Sequence, residues 1–273
     1  MRALLATAIV LAASDAHGAP LEWKWQRFET WEWVATAGVS AALFTSYVVA
    51  ATTPRTHGPV LFDAPVRDAL VPDGERAKDR VSIVSNVTFF GLAAFPFFGD
   101  AVLGAAIARD NTDVAAQMVL IDAEAMAVNG LLFKLLELSV ARARPYVSDC
   151  IAAGGDVATC NQSGGTTTSM PSGHVSTAVT AASLICTHHL RLDLYGSRAA
   201  DVAACGVGIG AAIASGVSRI ASDNHYATDV LAGAAIGVVS GWLVPTVLHY
   251  GRPVPVVPMV TANTVGVAFV ARR

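Results

Sequence analysis

The sequence predicts an all-α protein, a six-helix transmembrane bundle, and three observations carry that reading. Of 273 residues, 53% are hydrophobic and only 14% charged, with a mean hydropathy of +0.51. That is more apolar than an ordinary soluble domain and points to a membrane protein. The apolar residues also fall into six segments, roughly 31–51, 81–108, 114–140, 174–190, 199–220 and 226–248, most of them near the length a bilayer requires. Within several segments small residues recur at close spacing, as at Gly206, Gly208 and Gly210 and again at Gly233 and Gly237. Such spacing lets helices in a membrane approach closely. The length suits one large domain, and a net charge of -3 gives no sign of a nucleic-acid partner.

Residues 1–19 read as a secretory signal, with Arg2 as the charged start, an apolar run too short to span, and small residues near Ala16 and Gly18. An uncleaved membrane-surface anchor is the alternative. Trp23, Trp25, Trp31 and Trp33 alternate with charged residues and are expected at the headgroup level of a bilayer. Residues 52–80 carry four prolines and many charges and read as a loop. In the second apolar segment Gly91, Pro96 and Gly99 predict a kink. The third holds Asp122, Glu124, Lys134 and Glu137, which are costly in lipid and should face the bundle interior. Cys150 and Cys160 lie in a polar loop rich in Gly, Ser and Thr and suit a disulfide, which needs an oxidising compartment. Cys186 and Cys205 lie in apolar segments and read as plain core residues. From residue 251 the pattern changes to two short β-like runs around Asn263, either a small C-terminal β-hairpin or a tail. There is no internal repeat and no metal-ligand cluster.

Three polar stretches stand at the ends of apolar segments. In Ser218-Arg219-Ile220-Ala221-Ser222-Asp223-Asn224-His225-Tyr226-Ala227-Thr228-Asp229, His225 and Asp229 lie one helical turn apart if the apolar run after Tyr226 is a helix. A carboxylate so placed can accept the imidazole N–H and fix its tautomer. Arg219 offers a planar fork for phosphate oxygens. The plain alternative is a polar loop with a capping Asp. The second stretch, Met170-Pro171-Ser172-Gly173-His174, is ordinary helix-start chemistry. It also presents free N–H groups, a hydroxyl and a second imidazole to an anion. The third, Arg142-Ala143-Arg144-Pro145-Tyr146, places two arginines at a helix end, where answering the C-terminal dipole would explain them.

Together these stretches resemble the signature of the type 2 phosphatidic acid phosphatase / vanadium haloperoxidase superfamily, in its membrane phosphatase branch. That signature reads Lys-x6-Arg-Pro, then Pro-Ser-Gly-His, then Ser-Arg-x5-His-x3-Asp. The second and third blocks match without a gap, and the resemblance covers roughly residues 80–248 of a helical domain taken as 20–250. The first block departs from the pattern: Arg144-Pro145 matches, but Glu137 stands where the lysine belongs. Lys134, one helical turn back, is taken to reach the same phosphate with Glu137 as a partner; a site without this lysine is the alternative.

The resemblance implies a membrane phosphatase that hydrolyses a lipid phosphate monoester or pyrophosphate through a phosphohistidine. His225 would be the nucleophile, Asp229 its orienting group and His174 the general acid. Arg144, Arg219, Ser172, the Gly173 N–H and Lys134 would hold the phosphoryl oxygens. No metal or cofactor is called for, and the partners would be the lipid substrate and membrane lipids. Two rivals share the blocks: a vanadium-dependent haloperoxidase, with His225 binding vanadate as its cofactor, and a non-catalytic lipid-phosphate binder. In an alternating bundle Arg144, His174, Arg219 and His225 all fall at one membrane face, which the resemblance places on the periplasmic side of a bacterial inner membrane. Lysine and arginine are spread too evenly between the loops to decide orientation. If the signal is cleaved and all six segments span, the site would face inward, so one N-terminal segment is expected to lie on the membrane instead.

Overall fold

The computed structural model describes residues 21–49, 53–161, 167–251, 256–261 and 264–269; the signal-like stretch 1–19 lies outside them. The described chain is mostly helical. Its helices are α1 (Thr30–Val49), α2 (Asp63–Leu70), α3 (Glu75–Ala108), α4 (Thr112–Val140), α5 (Pro145–Ala152), α6 (Val157–Cys160), α7 (Gly173–Leu192), α8 (Arg198–Ala221) and α9 (Ala227–Leu248). Val256–Thr261 (β1) and Thr264–Phe269 (β2) pair antiparallel. Among the described residues three helices, α3, α8 and α9, are long and apolar enough to cross a membrane by length and composition. Their outward residues include Phe90, Ile107, Val207, Ile213, Leu231 and Trp242, all exposed. A surface of that kind needs lipid rather than water around it.

Residues 52–80 are not simply a loop. Asp63 starts α2, a short amphipathic helix, and α3 begins already at Glu75. The prolines sit before or in first turns, where a missing N–H costs nothing. The break expected in the second segment takes the form of a π-helical stretch from Pro96 to Ala108, as a proline that cannot donate to the preceding turn favours.

The centre of the bundle is α7, which packs on α8, α9, α3 and α4. Its closest neighbour is α9, and glycine makes that approach feasible. A Cβ on Gly233 would sit 2.5 Å from the Ser172 carbonyl oxygen, and one on Gly237 2.7 Å from that of Ser176. The approach sets the start of α9, with His225 and Asp229, against the start of α7, with Ser172.

Asp122, Glu124, Lys134 and Glu137 are all buried. The first two belong to a belt of buried pairs at the far end of the bundle. His188 Nε2 lies 2.8 Å from Asp122, His189 Nδ1 2.6 Å from Asp201, and His249 Nε2 2.6 Å from Glu124. Paired polar groups of this kind tie helices together where no water is available to solvate them. Trp23 and Trp25 are half-buried. They pack against Tyr250, with ring centroids 5.3 and 4.9 Å away, and cover the apolar cluster beneath. Trp33 stays exposed on α1. Cys186 and Cys205 are not plain core residues either, since they form a disulfide between α7 and α8.

Candidate active site

The third motif's end is built by a short extended segment. After α4 the chain runs as Ala141-Arg142-Ala143-Arg144 between residues 55–56 on one side and 167–169 on the other. Ala143 N–H donates to Thr56 O at 2.8 Å, Arg144 N–H to Thr167 O at 3.0 Å, and Ser169 N–H to Arg142 O at 2.7 Å. Two strands of loop therefore clamp the Arg-Ala-Arg stretch. Pro145 then opens α5 at its first position, and the Cys150–Cys160 disulfide joins α5 to α6.

On this platform the structure gathers Arg144, Arg219, His174 and His225. His225 is buried, at 4% exposure, and both guanidiniums and the other imidazole are close enough to act on it electrostatically. Burial first, then Arg219 and Arg144, hold the His225 imidazole well below its ordinary range, so it is neutral. Its Nδ1 lies 2.7 Å from Ser169 O. A carbonyl can only accept, so Nδ1 carries the proton and Nε2 keeps a free lone pair. His174 begins α7, with Nε2 3.1 Å from Asn86 Oδ1 and its ring tilted on Phe89 at 4.5 Å.

Arg144 donates from Nε to Thr168 O at 3.1 Å and from Nη1 to Asn224 Oδ1 at 2.7 Å. Burial pulls this guanidinium below its ordinary range, with Tyr146, Glu137 and Asp229 opposing. Arg219 ends α8 at 5% exposure, and its Nε has no hydrogen-bond partner among the described residues. The Ser172 hydroxyl is likewise fully buried and unpartnered. A desolvated donor normally has a partner. Two unpartnered donors, one of them cationic, beside a second arginine make a cradle for an anion with several oxygens. Gly173 starts α7 with the Phe133 ring where its Cβ would be, at 3.1 Å. Its N–H belongs to the first turn and has no intrahelical acceptor.

Asp229 is placed differently from expectation. No hydrogen bond joins it to His225. One carboxylate oxygen accepts from Arg142 Nη1 at 2.9 Å and the other from Tyr226 N–H at 2.8 Å, which caps α9. The reason is Arg142, buried within reach of the carboxylate and too strong a partner to leave unmatched. The Ser169 carbonyl takes the orienting contact instead. Sequence reasoning assigned no role in the site to Arg142, Ser169, Asp63, Asn86 or Asn224. Ser169 acts through its backbone, which no side-chain motif reports, and the other four act across 79 or more positions in the chain.

Lys134 Nζ is 2.7 Å from Glu137 Oε2, both buried, and Thr168 Oγ1 donates to Glu137 Oε1 at 2.7 Å. The pair is thus linked through Thr168 to the residue whose carbonyl holds Arg144. If Lys134 supplies phosphate binding, Lys134→Ala should lose about 2–4 kcal/mol of transition-state stabilisation, the range for one oxyanion donor. Glu137→Ala should lose less. A silent Lys134→Ala beside a damaged Glu137→Ala, compared by kcat/KM, would assign the role to Glu137. Among the described residues no three His, Cys, Asp or Glu side chains are arranged to hold a metal ion.

A helical membrane bundle that brings two arginines, two histidines and an unpartnered serine to one end is a protein built to handle an oxyanion at a membrane surface. Residues 119–253 match the PAP2 superfamily model. The chain is 35% identical over 127 residues to the lipid A 1-phosphatase of Porphyromonas gingivalis, a match covering 46% of this chain and 23% of that relative. The aligned part is therefore less than a quarter of the curated relative's length. Among solved structures it is similar to a transmembrane PAP2 type phosphatidylglycerolphosphate phosphatase from Bacillus subtilis. That similarity has 19% identity and a TM-score of 0.46, and covers 78% of this chain and 92% of the other.

Proposed function

We propose that this chain is a membrane phosphatase that hydrolyses a lipid phosphate monoester or pyrophosphate through a phosphohistidine on His225. The observation that carries the reading is the buried Arg219 with an unpartnered Nε beside Arg144. A charge pair of like sign, removed from water, calls for a dianionic ligand. The P. gingivalis relative, whose name is that of a lipid phosphatase, supports the same class.

In this reading the His225 Nε2 lone pair attacks phosphorus while Ser169 O holds Nδ1–H. The bond from phosphorus to the leaving oxygen breaks, and His174 gives that oxygen a proton. Arg144, Arg219, Ser172 Oγ, the Gly173 N–H and Lys134 hold the equatorial oxygens as their charge shifts. In the second step His174 takes a proton from water, the hydroxide attacks phosphorus, and the phosphorus–nitrogen bond breaks. Phosphate leaves and His225 is neutral again. The test is phosphate release in detergent, with EDTA present, from a panel of phosphatidic acid, phosphatidylglycerol phosphate, lipid A and a polyprenyl pyrophosphate. Release from at least one is expected, and none from any would overturn the reading.

The same proposal has the site on the periplasmic face of a bacterial inner membrane, with one N-terminal segment lying on the membrane rather than crossing it. Its support is the Cys150–Cys160 disulfide, next to Arg144 in the chain. Such a bond persists outside the reducing cytoplasm. With intact cells and a membrane-impermeant maleimide, these two cysteines are expected to label only after reduction. Thiols labelled without reduction, and only once the membrane is permeabilised, would put the site on the other face.

A further inference from the structure

We infer that Arg142 is a positioning residue for the nucleophile, the hub through which the loop 53–63, Asp229 and Ser169 set the His225 imidazole. The inference rests on the reading of His225 as nucleophile and adds to it a residue that the three motif blocks do not specify. Arg142 is 3% exposed, and every part of it is engaged. Its Nε and Nη2 donate to Gly58 O at 3.1 and 2.7 Å, Nη2 also to Asp63 Oδ2 at 2.6 Å, and Nη1 to Thr228 Oγ1 at 2.8 Å and Asp229 Oδ1 at 2.9 Å. The guanidinium lies 3.9 Å from the centre of the Tyr226 ring. Its own carbonyl accepts the Ser169 N–H at 2.7 Å. Ser169 in turn presents its carbonyl to His225 Nδ1.

Arg142 therefore holds His225 from two sides. Through its backbone it fixes Ser169, the acceptor that sets the tautomer. Through its side chain it fixes Tyr226, Thr228 and Asp229, the three residues that follow His225 into α9 apart from Ala227. Asp63 completes the frame. It is fully buried and accepts from Arg142, the Val60 N–H, the Thr228 N–H and the Thr228 hydroxyl. Burial would raise this carboxyl, but the Arg142 fork and those N–H groups outweigh it and hold it below its ordinary range, so it stays ionised. One cation thus sits between two carboxylates, Asp63 and Asp229. Only the planar fork of arginine reaches Gly58, Asp63, Thr228 and Asp229 at once; a lysine ammonium has a single point of attachment. Arg142 does not touch the substrate in this arrangement. It acts through Ser169 and the start of α9.

The test uses the full chain in detergent, with Arg142→Gln and Asp63→Asn. Two quantities are read: steady-state kinetics on the lipid phosphate that wild type hydrolyses, and ¹⁵N shifts of labelled histidine, with His225 assigned by comparison with His225→Ala. Wild type is expected to show His225 protonated at Nδ1. Arg142→Gln is expected to lose about 100-fold in kcat, the order for a reacting group displaced by an ångström, with KM little changed and both His225 tautomers populated. Asp63→Asn should move both readouts in the same direction, by less. A folded Arg142→Gln protein whose His225 keeps the wild-type tautomer overturns the inference, whatever its rate. Should Arg142→Gln fail to fold, Asp63→Asn decides by the same two readouts. A wild type that releases no phosphate sinks the phosphatase reading alone, because the tautomer comparison still judges the role of Arg142.

Discussion

Replacing His225 by alanine is expected to leave a folded protein with less than a few per cent of wild-type phosphate release. The imidazole supplies the attacking lone pair, because Ser169 O holds its Nδ1–H and leaves Nε2 free. Folding should survive because the side chain contributes little net stability. It makes one hydrogen bond, to Ser169 O, of the kind worth about 0.5–1.5 kcal/mol. It also sits beside two guanidiniums that oppose its protonation. The same geometry fixes the sign of the pH dependence in wild type. A histidine held below its ordinary value stays neutral as pH falls through about 6.5. The acid limb of kcat/KM should therefore lie below that point, and the limb should disappear into the baseline in His225→Ala. Retention of more than a few per cent of the rate by a folded His225→Ala protein would end the covalent mechanism. Helical circular dichroism on the same sample separates that outcome from misfolding.

The second large effect is expected at Arg219, where activity and stability should part company. Arg219→Met keeps an unbranched stem of similar length and removes the charge. The loss in kcat should be about 10²–10³-fold, that of one donor to developing oxyanion charge in a site screened from water. Thermal stability in the absence of ligand should be unchanged or higher. A buried guanidinium whose Nε lacks a partner, next to the like charge of Arg144, costs the ligand-free fold free energy. Functional sites commonly carry such a cost. Phosphate should accordingly raise the melting temperature of wild type by preferential binding to the native state, and do so less for Arg219→Met. A variant that keeps wild-type kcat, or that melts well below wild type without regaining stability in phosphate, would mean that Arg219 is structural.

Much of the site was legible from chain order. Arg144, His174, Arg219 and His225 each stand where an apolar segment meets a polar one, and an alternating bundle must bring such ends to one side. The charges of α4 were legible for a related reason: Asp122, Glu124, Lys134 and Glu137 are too costly to face lipid, and the structure buries all four. The partner of His225 was not legible. Four-residue spacing made Asp229 a suitable acceptor, but α9 starts only at Ala227, after an extended Tyr226, so His225 lies outside the helix. What spacing does not show is that a third residue, 87 positions away, competes for the same carboxylate. The Cys186–Cys205 bond was hidden for a similar reason, since two cysteines in apolar segments look alike whether they meet or not.

The sequence by itself determined the helical class, the order of the segments, the apolar outer surfaces and the cluster of oxyanion-binding residue types. All of these follow from local composition and from the cost of exposing polar groups to lipid, which each segment meets alone. Only the tertiary structure decided which groups pair. It set the Ser169 carbonyl on His225, gave Asp229 and Asp63 to Arg142, and left Arg219 and Ser172 with donors unanswered. Hydrogen bonds are short and directional, so the choice among several chemically suitable partners depends on positions fixed to within an ångström. Those positions come from the glycine-mediated approach of α9 to α7 and from the loop strands that clamp residues 141–144, contacts between segments that no local pattern records.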